Sequence, residues 1–109
     1  MPSPSLSPEK TWEYDCQLIL NERKVVKVTI TDHVWKKSGR KKITPELILD
    51  LVKIFDGRDI EPEPKKNPTW RDVFVHNRIS YQGKKYRLIF WFKNGTTDHL
   101  WVRNCHQQD

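Results

Sequence analysis

From Trp12 onward the chain alternates. Trp12, Tyr14, Cys16, Leu18 and Leu20 fall on one parity, with Glu13, Asp15 and Gln17 on the other. A period of two is the mark of a half-buried strand. "NERK" (21–24) reads as a turn, and "VVKVTITD" alternates again, with Val26, Val28 and Ile30 opposed to Lys27, Thr29 and Thr31. The two runs predict a β-hairpin. An amphipathic helix over 12–20 is the alternative, since Gln17 to Leu20 would also suit one. "HVWKKSGRKK" then breaks the pattern as a cationic loop or short helix. The clearest helix signal follows. Thr44 is an N-cap, Pro45 suits the first helical position, and Glu46 complements the dipole. Leu47, Ile48, Leu51, Ile54 and Phe55 form the apolar stripe and Gly57 the stop, which predicts a helix over about 45–56. The proline-punctuated "RDIEPEPKKNP" connects it to three more strands, "WRDVFVHNRIS", "KKYRLIFWFK" and "TDHLWVRNCH", divided at Gln82-Gly83 and Asn94-Gly95. Asn-Gly between alternating apolar runs is a strong hairpin signal.

Two-residue turns at both sites fix a register. Phe90 then lies opposite His99, Leu88 opposite Trp101, Arg87 opposite Val102, Val75 opposite Phe90 and Arg78 opposite Arg87. One face collects Val73, Val75, Ile79, Tyr86, Leu88, Phe90, Phe92 and Trp101, an apolar surface for the helix. The other collects Phe74, His76, Arg78, Arg87, Trp91, Asn104 and His106 around Ile89, Leu100 and Val102. A one-residue slip in either turn exchanges the faces. Arg78 beside Arg87 is a like-charge pair that an intervening phosphate would relax.

Composition narrows the class. The 109 residues, with a formal charge of +6, suit one domain and favour a polyanionic partner. Residues 1–10 carry three prolines and three serines and read as a disordered tail, leaving 11–109 as a single α+β domain. Nothing in 1–8 resembles a signal peptide, and no run approaches the ~20 apolar residues of a membrane helix. A soluble, cytoplasmic protein with no membrane partner is expected. Cys16 and Cys105 sit in alternating runs and read as reduced core thiols. The chain has no GxSxG, glycine-rich phosphate loop, HExxH or DxD cluster, and no cofactor or metal is expected.

What the polar face could do is bind and cut RNA. Cleavage without metal needs a base for the 2′-OH, an acid for the leaving oxygen and a cation for the phosphorane. His76 and His106 are candidates for the proton transfers, Arg87 and Arg78 for the charge, and Asn104 for orientation. Trp91 and Phe74 would stack bases, and Lys36, Lys37, Arg40, Lys41 and Lys42 would meet phosphates. The plain alternative is a solvated sheet face whose Arg and His side chains cover apolar neighbours.

"YRLIFWF" at 86–92 and "LWVRNCH" at 100–106, after helical material, resemble the late strands of RelE/ParE-type toxins, part of the wider barnase-like ribonuclease group. "ITDHVWKK" followed by "ITPELILDLV" resembles related toxin-like domains that open strand–His–helix, which carries His33 over as a site residue. The resemblance covers about 30–106. It implies a metal-independent endoribonuclease acting on RNA, mRNA on the ribosome included, and a cognate acidic antitoxin. The terminal "NCHQQD" departs from relatives that end in Tyr or Arg.

The expected fold is α+β, a mostly antiparallel sheet of four to five strands with one main helix on one face. The rival functions are a non-catalytic RNA- or DNA-binding module using the same face, and a protein–protein inhibitor module.

Overall fold

The computed structural model describes residues 10–35 and 42–108. Residues 1–9 of the stretch read as a disordered tail, and Lys36, Lys37, Arg40 and Lys41 of the basic loop, lie outside the described residues. Five strands and one α-helix follow in the order β1 (Thr11–Leu20), β2 (Arg23–Thr31), α1 (Pro45–Lys53), β3 (Phe74–Tyr81), β4 (Lys84–Phe92) and β5 (His99–Gln108). A 3-10 turn, Asp32–Trp35, follows β2. No helix among the described residues is long and apolar enough to cross a membrane.

The fold is α+β, but its sheet is mixed rather than mostly antiparallel. The strand order is β1-β2-β5-β4-β3, and β2 runs parallel to β5, with Val28 level with Leu100 and Ile30 with Val102. Adjacent hairpins predict antiparallel neighbours. The parallel pair arises because β5 returns past α1 and the β3–β4 hairpin to lie against β2, a crossover that local turn signals do not encode.

The first hairpin forms where the alternation puts it. Asn21 and Glu22 take positive φ, 52° and 63°, the conformation of a tight two-residue hairpin turn. A register shift between Asp15 and Leu18 leaves one extra residue in β1, so Val25 joins Val28 and Ile30 in the core while Val26 is half-buried. Thr44 caps α1, its hydroxyl accepting from the Leu47 N–H at 3.1 Å. The helix is shorter than its apolar stripe and ends at Lys53, with turns continuing to Gly57 at φ 78°. Gly57 N–H donates to the Ile19 carbonyl at 2.6 Å and Ile19 N–H to Asp56 Oδ1 at 2.7 Å, which fastens the helix exit to β1.

The helix covers the sheet face that carries Tyr86, Leu88, Phe90, Leu100 and Val102. Ile48, Leu51 and Val52 of α1 are buried with them in one core cluster. Phe55 closes it, 6.0 Å from the Phe90 ring. Tyr81 donates to Asp50 Oδ2, tying the end of β3 to the helix.

Candidate nucleic-acid interface

Two irregularities decide what the opposite face holds. The β4–β5 connection is longer than two residues. Thr96 N–H donates to the Lys93 carbonyl, and Lys93 N–H to the His99 carbonyl at 2.8 Å. This sets Trp91 opposite Trp101 and Phe90 opposite Val102, and a further shift beyond Phe90 sets Ile89 opposite Asn104 and Arg87 opposite His106. Leu100 and Val102 therefore belong to the core, and Trp101 to the open face, the reverse of the two-residue-turn register. Asn104 and His106 stay on the open face because the bulge at Arg103 restores their parity.

The second irregularity is in β3. Tyr81, Ser80 and Ile79 pair with Lys84, Lys85 and Tyr86 as a two-residue turn requires. The register then shifts, so that His76 meets Leu88 and Phe74 meets Phe90. Arg78, at φ 55°, lies in the shift with Asn77, and the two together stand against Arg87. Its backbone N–H donates to Gln108 Oε1 at 2.6 Å. Phe74 and His76 turn to the helix face. Phe74 stacks on Phe90 at 5.4 Å, and His76 lies 4.5 Å from the Phe55 ring. Burial lowers the His76 pKa, only partly offset by Glu63, and its Nε2 is buried without a partner. A neutral imidazole packed on phenyl rings beneath the helix cannot serve chemistry on the other face.

The open face thus retains Arg87, Trp91, Asn104 and His106 of the residues predicted for it. Arg87 and His106 are cross-strand partners, with backbones about 5 Å apart, and both are half-buried. Arg87 Nε is buried with no hydrogen-bond partner. Leaving a buried charged donor unmatched costs about 1–3 kcal/mol or more. His33 lies half-buried in the 3-10 turn, which packs against β5. Lys42 is exposed in the turn before α1.

His99 is also displaced from its expected place beside Phe90. It sits level with Lys27, and its Nε2 lies 2.5 Å from the hydroxyl of the buried Thr29. Burial, then the Lys93 charge, lowers its pKa.

The residues missed by sequence reasoning are aromatic and basic. The Arg71 guanidinium lies 4.7 Å from the centroid of the Trp91 ring, a contact worth about 0.5–1 kcal/mol where exposed. Arg71, Trp91, Lys93, Asn94, Trp101 and Arg103 line a groove of about 380 Å³. A second groove, about 910 Å³, shares Arg71 and Trp91 and is walled by the 63–73 segment, including Trp70. Sequence pattern assigned Trp70 and Arg71 to a strand, although Pro64 and Pro68 in the same stretch are a signal for an irregular wall. Trp91 and Arg87 are four residues apart on one strand, so the indole groove lies roughly 13 Å from the Arg87–His106 pair. Among the described residues, no group of three or more His, Cys, Asp or Glu side chains is arranged to hold a metal ion.

No protein-family model matches the chain, and none of the curated proteins or solved structures compared with it does either.

Proposed function

We propose that the open sheet face holds single-stranded RNA and cleaves it as a metal-independent endoribonuclease of the toxin kind. The observation that supports this most is the cross-strand pairing of Arg87 with His106 on the face that also carries Trp91 and Trp101. Indoles provide stacking platforms for unpaired bases. A guanidinium with a buried, unmatched N–H favours an anionic acceptor, and phosphate oxygen meets that need. In this reading His106 takes the proton of a ribose 2′-OH, whose oxygen attacks the adjacent phosphorus. Arg87 stabilises the charge that develops there. The bond to the 5′ oxygen breaks, that oxygen takes a proton, and the products are a 2′,3′-cyclic phosphate and a free 5′-OH. His33, carried by a turn packed against β5, is the candidate acid in place of His76. The toxin reading also brings an acidic antitoxin protein as the partner of this basic chain.

A second reading, RNA binding without cleavage, is favoured by one observation. One of the four proposed reacting groups, His76, has turned to the helix face, away from Arg87 and His106. Incubating purified protein with total RNA in EDTA separates the two. Cleavage with cyclic phosphate ends, lost in His106→Ala, supports the ribonuclease. Intact RNA that remains bound supports the binding module.

A further inference from the structure

The two grooves meeting at Trp91 differ in chemistry. The smaller is lined by Arg71, Lys93 and Arg103 beside Asn94 and the two indoles, with no carboxylate on its wall. The larger is mostly apolar, formed by Trp70, Val73, Pro64 and Trp91, with Lys65 and Lys66 also on its wall and Glu63 as its one carboxylate. Arg71 stands between them, its guanidinium over the Trp91 ring. One half suits a phosphate and the other a planar base, and they adjoin.

The wall is also held in place. Lys65 Nζ donates to the Trp70 carbonyl and to Asp72 Oδ1, both at 2.7 Å. Glu63 N–H donates to the Val73 carbonyl at 2.7 Å and Trp70 N–H to the Asn67 carbonyl at 3.0 Å. These bonds close 63–73 on itself and fix Trp70 and Arg71 before any ligand arrives, which lowers the ordering cost of binding. Trp70 nonetheless remains 56% exposed, so its indole is available to a ligand.

We infer that this double groove is a mononucleotide subsite. The base enters the larger groove beside Trp70 and Trp91, and its phosphate lies in the smaller one on Arg71, Lys93 and Arg103. Arg71 serves both halves, stacking as a plane and donating as a fork. The occupant is one nucleotide of the single-stranded RNA proposed above, and the inference rests on that reading for its substrate. It adds a position, away from Arg87 and His106, where a single unpaired base is gripped.

Equilibrium dialysis of the full chain at low salt with AMP, adenosine and inorganic phosphate tests this directly. AMP should bind at least about tenfold more tightly than either half alone. Trp70→Ala, at an exposed position, should weaken AMP about tenfold, in line with the loss of one stacked base. Arg71→Gln should weaken it by a similar factor, and Lys93→Gln by less. Lys53→Gln, at an exposed position on the helix side, should leave it unchanged. Absence of AMP binding, phosphate binding as tightly as AMP, or full affinity in both Trp70→Ala and Arg71→Gln would overturn the subsite. Nucleotide binding in a protein that leaves RNA intact would uphold the subsite while removing the ribonuclease. RNA cleavage without Trp70-dependent AMP binding would do the opposite.

Discussion

Arg87 of β4 stands directly across from His106 of β5, and this pairing exists because β5 is bulged at Arg103. If the two act on one phosphate, their effects are not independent. Arg87→Ala and His106→Ala should each lower cleavage at least about 100-fold. The double variant should lie close to the worse single one, as for groups acting as a unit. Arg87→Lys should retain part of the rate, since charge survives and the fork does not. Initial rates on one RNA substrate give all four values. A double variant whose loss is the product of the single losses would show that the pair does not work together.

Arg78 occupies a left-handed conformation, φ 55°, in the β3 irregularity. That conformation costs a non-glycine residue about 1–2 kcal/mol, and glycine's extra chain entropy offsets about 0.5–1. Arg78→Gly should therefore leave stability unchanged or raise it by up to about 1.5 kcal/mol in urea unfolding. Destabilisation by more than about 1 kcal/mol would mean that residue 78 is a regular strand position.

The same irregularities explain what the sequence disclosed. The helix cap at Thr44, the alternation of β1 and the turn at Gln82-Gly83 are local signals, and each led to the right element. The turn after Phe92 misled because Asn94-Gly95 imitates a two-residue hairpin, while the loop is closed by Lys93, Thr96 and His99. Moving the register by an odd step exchanged Trp101 with Leu100 and Val102. The bulge then returned Asn104 and His106 to their expected face, so their placement was right for an incomplete reason. In β3, Phe74 and Val75 are both apolar, and nothing in their pattern tells which one points inward. The parallel β2–β5 contact and the Arg71–Trp91 stack join residues far apart in sequence, beyond the reach of local periodicity.

Which face is the core can be measured. Phe90 is fully buried between Phe55 and Phe74, and Phe90→Ala should cost about 3–5 kcal/mol. Ile89, half-buried on the open face, should cost about 1–2 kcal/mol when cut to Ala, a fraction of the full-burial range. Denaturant midpoints of the two variants should differ clearly, and equal losses would place both side chains in similar surroundings.

His76 and His99 both have pKa values lowered from 6.5, with burial the first cause in each. The unfolded chain therefore binds protons more readily at these sites than the folded one. Stability should be full above about pH 6.5 and should fall as pH drops below it toward the folded-state values. His76→Phe, which suits the phenyl cluster, should reduce that loss between pH 7.5 and 5.5. Urea midpoints at the two pH values check this, and an unchanged pH dependence would exclude His76 as a contributor.

The central claim is that the open face, on the Trp101 side of the sheet, meets single-stranded RNA. Its most direct measurement is the affinity of a short unpaired RNA, titrated over a range of salt, for the wild type, Trp101→Ala and the helix-side control Lys53→Ala. Affinity should fall steeply with salt, drop about tenfold in Trp101→Ala as one stacking platform is lost, and stay within about twofold in the control. Equal RNA affinity in Trp101→Ala and wild type, or no binding even at low salt, would contradict it.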